Sequence, residues 1–426
     1  MSNTDTLYTD STPAERKRSA LSRFWNALIE GMTPPPSPSL DKSTSLRIRI
    51  ARPMCIFFMV LVHVNPGVAE VDLATHGVRL ADWVRYFFAD GVGRTSIGLL
   101  AIVSGFLAIS TARVFPFGKF AMKRVRSLLI PMVVWSALLL MAYIAGDQVQ
   151  PGYLEHQVGE AFAWSHIPNW LFGITDHPAN FPLGFLRDLF ICALLTPVIV
   201  LAMRKFALPV LAVLFVLMVT HAPSPFLGNN IPLFYSMGIW FALNGQTMER
   251  WIDRHAGKVI LAFVIYALSL TTMSFQVQLH PNEGLEPIFT GLMEVERLFG
   301  AAAFWAIAGM ILKTNWKSLI TRLEPFAFFV FCSHIFLTTM LWMPFKFLVG
   351  DYYHPAYLVF FFLCPVLTFG LAIVGALMLG KLMPPVSAVL NGGRPLPKHA
   401  IGDLFRAPDA AVKLPKEPVG SKSVFN

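Results

Sequence analysis

The chain has 426 residues, of which 55% are hydrophobic and only 14% charged, and its net charge is +9. With 37 Phe, 10 Trp and a mean hydropathy of +0.57 it is far more apolar than a soluble domain, so the composition predicts a polytopic membrane protein. The basic residues are spread over short loops and tails, which excludes the concentrated patch of a nucleic-acid binder and points to membrane orientation.

From Met1 to about residue 45 the sequence is polar and rich in Pro, Ser and Thr, with no apolar core that would make it a secretory signal. Inside it, Thr12-Pro13-Ala14-Glu15 has the form of a capping box with Pro at the first helical position, and Gly31 is a plausible stop. The segment near 13–30 places Leu21, Phe24, Trp25 and Leu28 on one face with Arg16, Lys17, Arg18 and Arg23 beside it. This amphipathic helix suits either an anionic membrane surface or the cytoplasmic loops. Pro34-Pro35-Pro36-Ser37-Pro38 then reads as a stiff spacer.

Ten apolar stretches follow, near residues 48–66, 95–112, 127–145, 186–203, 206–221, 231–245, 258–275, 297–312, 325–346 and 356–380. With the N-terminus inside, Lys119, Lys123, Arg124 and Arg126, then Arg204 and Lys205, Arg250, Arg254 and Lys258, and Lys313, Lys317 and Arg322 all fall in inner loops. Residues 147–186 and 259–296 contain no Lys or Arg, yet carry Asp147, Glu155, Glu160, Asp176, Glu286, Glu294 and Glu296. The alternation predicts an all-α bundle of about ten transmembrane helices over 46–385, with both termini cytoplasmic and a polar tail at 386–426. The cysteines Cys55, Cys192, Cys332 and Cys364 all lie in apolar stretches and read as small hydrophobes. The outer-loop histidines His156, His166 and His177 match no zinc spacing, so no metal or prosthetic group is expected. Trp164 and Trp170 in the same loop suit either a sugar contact or an interface anchor.

The organising stretch is Arg52 to His63, an apolar run bounded by one cation and one imidazole. Eleven helical steps cover ~16 Å, about half of a ~30 Å hydrocarbon core, so His63 lies deep in the membrane or in its outer half. An ionisable group there marks a functional site or a satisfied structural partner. The same alternatives hold for His334. Asp188 stands near the outer N-terminus of its helix, where a carboxylate also complements the dipole. Ser104-Gly105 suits close helix packing as well as a site. No Walker loop, dinucleotide fingerprint, nucleophile elbow or internal repeat is present.

In these stretches the chain resembles the acyltransferase 3 family of ten-helix membrane acyltransferases that modify cell-surface glycans. Arg52 to His63 has the family's Arg, ten residues, His spacing, and Ser104-Gly105-Phe106 resembles its second span. Lys123 to Pro131 resembles its basic third-span entrance, Phe185-Leu186-Arg187-Asp188-Leu189 its fourth-span start, and Ser333-His334 its late-span histidine. Lys123 and Arg126 keep the family's spacing of two basic residues where Arg124 does not, Pro53 replaces a small residue, and Gly184 replaces the tryptophan before Phe185.

The resemblance implies an O-acyltransferase of the plasma (inner) membrane that moves an acetyl or succinyl group from cytoplasmic acyl-coenzyme A to a hydroxyl of an extracytoplasmic polysaccharide or glycolipid. Its expected partners are that donor, that acceptor and membrane lipids. Catalytic roles then fall on His63, Arg52, Asp188 and His334, and donor contacts on Arg126, Arg124, Lys123, Ser104 and Gly105. A neutral imidazole is suited to take the hydroxyl proton near pH 7, by direct attack on the thioester or through an acyl-enzyme. Arginines and lysines at the inner surface could hold phosphates or merely fix topology. Two other readings stay open. One is a transporter or flippase for a lipid-linked sugar, which should show paired interrupted helices; the other is a non-catalytic subunit of a secretion complex.

Overall fold

The structure is a computed structural model that describes residues 30–32, 41–64, 71–110, 116–245, 247–281 and 284–397. The amphipathic segment near 13–30, the proline spacer and residues 398–426 of the tail lie outside the described residues, apart from Glu30. Among the described residues the fold is entirely helical, with eleven helices of ten residues or more. They are α1 (Lys42–Val62), α2 (Ser96–Ser110), α3 (Ile130–Val149), α4 (Gly184–Leu194), α5 (Thr196–Lys205), α6 (Ala207–Thr220), α7 (Asn230–Asn244), α8 (Ala256–Leu279), α9 (Leu285–Ile311), α10 (Ala327–Leu348) and α11 (Tyr357–Leu382).

Each of the ten apolar stretches coincides with helix, and α4 and α5 share one stretch, bent by 66° where they meet. Five continuous helical segments are long and apolar enough to cross a membrane, or six if the bent pair counts as one span. Large apolar side chains such as Leu261, Val359 and Met378 stand exposed on these helices, as do Leu208 and Val213 on the shorter α6. In water such surfaces would associate; against lipid they are at rest, and this is a membrane protein.

Two helices begin well before the sequence reading places the spans. The second, expected from residue 95, is helical from Leu80 to Ser110, passing through a π-helical segment at Tyr86–Val92 and a 3-10 turn at Gly93–Thr95. The eighth stretch, expected from 297, falls on α9, whose 27 residues from Leu285 extend about 40 Å and which is not one of the five long apolar segments. The longer spans carry Asp82, Arg85, Asp90, Arg94, Glu294 and Glu296 into helices, which lowers local hydropathy and hides the true starts.

Packing is set by small residues and one buried cation. A Cβ on Gly105 would lie 2.0 Å from the Tyr235 carbonyl oxygen, and one on Gly238 would lie 2.0 Å from the Ile102 oxygen, so α2 and α7 approach backbone to backbone. Arg47 of α1 is buried beneath the Trp305 ring of α9, 4.2 Å from its centroid. Its guanidinium donates to the Trp305 carbonyl at 3.0 and 2.8 Å, and pairs with Asp253 at 2.6 Å and Glu249 at 3.3 Å on the helix Thr247–Arg254. The four cysteines are buried and unpaired, as their apolar settings predict.

The C-terminal segment does not leave the bundle at residue 386. After α11 a short helix, Pro384–Leu390, turns the chain back so that the Leu390 carbonyl accepts from the Trp135 indole at 3.1 Å. The polar region read as tail from residue 386 therefore packs on the membrane domain as far as Arg394, whose guanidinium sits 3.6 Å over the Phe328 ring.

Candidate active site

His63 caps the C-terminal end of α1, where the helix gives way to non-helical backbone. That position frees its imidazole to face a cavity of about 630 Å³ bounded by α1, α2, α4, α7, α9 and the loop at 221–229. The His334 ring, from the middle of α10, comes to 5.1 Å between centroids, and the Phe181 ring stands edge-on to His63 at 4.9 Å. The buried His334 holds its Nδ1 2.6 Å from the Phe331 carbonyl. A carbonyl only accepts, so Nδ1 carries the proton and Nε2 presents a lone pair. Among the described residues no hydrogen bond reaches that Nε2 or the His63 ring.

The cavity wall is charged but balanced. Arg94 pairs with Asp90 at 2.9 Å, and Arg297 with Glu294 at 3.1 Å. Asn230 donates to the other Glu294 oxygen at 3.2 Å. The π-helical segment and the 3-10 turn after it supply the first pair, and the early part of α9 the second. Sequence reasoning missed these residues because it placed the spans too late. The available signal was the run of ionisable residues Glu294, Glu296 and Arg297 inside an apolar helix, where such groups are expensive unless they are used.

Asp188 also lines the cavity, but its carboxylate is already committed. Its oxygens accept from Arg187 at 2.8 Å, the Leu227 amide at 3.2 Å and the Gly228 amide at 2.8 Å, so it fastens the 221–229 loop over the site.

Arg52 is not brought to this cavity. Eleven helical steps from His63, it forms a 2.9 Å pair with Glu324, a residue the sequence reading left unassigned. Near this other end of the bundle lies a second, open cavity of about 530 Å³, lined by Lys119, Lys123, Arg126, Ser127, Gly392 and Gly393, among others. Of the three expected donor cations it holds Lys123 and Arg126. Arg124 instead packs over the Phe120 ring at 4.9 Å. Burial, with Arg52 and Arg124 close by, pulls the Arg394 guanidinium down to about 10, which leaves it charged at neutral pH. Ser104 and Gly105 line neither cavity. The Ser104 hydroxyl donates to the Leu100 carbonyl at 2.7 Å, and Gly105 is consumed in the contact with Tyr235.

The architecture is a helical membrane bundle in which His63 faces one cavity with His334 packed against it, and a separate basic cavity lies at the other end. The sequence model of the acyltransferase domain matches residues 46–377, and the chain belongs to the acyltransferase 3 family. Among curated proteins it is similar to the succinoglycan biosynthesis protein ExoH of Rhizobium meliloti, 27% identical over 365 residues that cover 83% of this chain and 94% of the relative. No solved structure matches the chain.

Proposed function

We propose that this acyltransferase takes an acetyl or succinyl group from acyl-coenzyme A at the cytoplasmic face and places it on a hydroxyl of an extracytoplasmic polysaccharide or glycolipid. The observation that carries the reading is His63, whose ring faces the 630 Å³ cavity beside His334 with no hydrogen-bond partner among the described residues. The acceptor oxygen attacks the thioester carbon, its proton passes to the His63 imidazole, the carbon–sulfur bond breaks, and the coenzyme A thiolate leaves and is protonated. His334, locked as the Nδ1–H tautomer, steadies the neighbouring ring. The paired charges at Arg94–Asp90 and Arg297–Glu294 suit a hydroxyl-rich acceptor, offering donors and acceptors with no net charge.

Lys123 and Arg126 are the donor-phosphate contacts, and Arg52, held by Glu324, adds positive charge at the same end. The orientation follows from the cations, with ten crossings of the plasma (inner) membrane and both termini cytoplasmic. The similarity to a succinoglycan biosynthesis protein supports a glycan acceptor. Mass spectrometry of surface glycans from cells with the gene, without it, and with His63→Ala tests the reading. An acyl mass increment should appear with the intact gene alone, and an increment that persists in the deletion strain contradicts it.

A further inference from the structure

The basic cavity has a wall that no acyl-transfer motif supplies. Lys119, Lys123 and Arg126 stand on successive turns of Phe117–Arg124 and the π-helical segment after it, and all three are exposed. Among the described residues none of the three meets a carboxylate, and no carboxylate lines the cavity. Facing them is the turn Asn391–Arg394. Its two glycines take φ of +61° and +71°, conformations that favour residues without a side chain, and Gly393 offers bare backbone to open space.

The turn is built rather than loose. The Gly392 amide donates to Val389 at 3.0 Å and the Gly393 amide to Ala388 at 2.7 Å. Asn391 donates to the Arg394 carbonyl at 2.8 Å, and Arg394 donates to the Ser127 carbonyl at 3.2 Å, tying the turn to the cationic segment. A Cβ on Gly392 would meet the Arg394 guanidinium at 2.5 Å and the Ser127 oxygen at 2.7 Å, so the close approach of the two segments needs glycine there.

We infer that the C-terminal turn at Gly392–Gly393 and Lys119 complete a binding site for a nucleotide bearing several phosphates, with Lys123 and Arg126 as its other cations and Arg394 as the residue that positions the turn. The inference rests on the donor reading above, in which that nucleotide is the phosphorylated end of coenzyme A. Three unpaired cations around an open space of about 530 Å³ are the complement of a multiply charged anion, and the side-chain-free turn lets it lie against the backbone.

The test is coenzyme A binding by the full-length protein in lipid nanodiscs, measured by calorimetry at fixed salt. Lys119→Ala should weaken binding about tenfold or more, the loss of one charge-assisted phosphate contact. Gly393→Asp should weaken it similarly by adding a negative charge to the wall. Gly393→Asn, which tolerates the same backbone conformation but puts a neutral side chain where the nucleotide lies, should weaken binding less than Gly393→Asp does. Wild-type affinity in both Lys119→Ala and Gly393→Asp overturns this site and leaves the donor reading standing. A wild-type protein that binds no coenzyme A overturns the donor reading and this inference with it.

Discussion

The rings of His63 and His334 meet at 5.1 Å although 271 positions separate them in the chain, one at the end of α1 and the other in the middle of α10. Because the Phe331 carbonyl fixes the proton of His334 on Nδ1, its Nε2 is an acceptor only, and the proposed function treats the two rings as one unit. His334→Ala should lower acyl transfer on the order of tenfold or more. The double variant with His63→Ala should be no slower than His63→Ala alone, since residues that act together are non-additive. Rates that multiply in the double variant would show two independent roles.

Asp188 gives a stability prediction. Three donors converge on its buried carboxylate, two of them amides of the loop that covers the cavity. Asp188→Ala leaves Leu227, Gly228 and Arg187 without their acceptor, at a cost of about 1–3 kcal/mol. Thermal unfolding in detergent should show a lower midpoint, and limited proteolysis should cut first at 221–229. An unchanged midpoint with lost activity would instead make the carboxylate a reacting group.

Ser104 and Gly105 are separated by the same logic. Gly105→Ala puts a methyl where the Tyr235 carbonyl already is, so α2 and α7 must part, typically at about 1–3 kcal/mol. Ser104→Ala removes only a hydroxyl that bonds within its own helix and should be nearly neutral. Detergent-solubilised yield and coenzyme A affinity check this. Reduced affinity with normal yield in Ser104→Ala would restore Ser104 to the donor site.

Much of the fold was legible because lipid makes hydropathy a direct signal, and the ten apolar stretches all coincide with helix. What escaped were features that depend on pairing across the bundle. Glu294 reads as an outer-loop acid until Arg297 and Asn230 are seen around it, and Arg94 reads as a flanking cation until Asp90 meets it one turn away. Arg124 and Arg126 differ in sequence only by the spacing from Lys123, yet one packs on Phe120, a turn earlier, and the other faces the open cavity. Arg394 lies in a polar stretch with no period to show that it returns to Ser127. His63 stood out because an imidazole after a long apolar run is costly in lipid, whether it serves a site or satisfies a structural partner.

The orientation can be checked by substituted-cysteine labelling in intact cells. Positions 150 and 286, both exposed, should react with an impermeant reagent, and 254 and 317 only after the cells are opened. The reverse pattern would put the basic cavity outside and the His63 cavity inside, and would overturn the direction of acyl transfer.

The most direct test of the account is the transfer rate of His63→Ala, measured beside its abundance in the membrane and its affinity for coenzyme A. Alanine cannot take a proton, and losing general-base help costs about 10² to 10⁴ in rate. The apolar end of α1 should still insert and pack, so the account predicts normal abundance, wild-type coenzyme A binding and an unmodified glycan. A variant that is scarce in the membrane, but whose surviving fraction transfers the acyl group at the full wild-type rate, would contradict it and make His63 a packing residue.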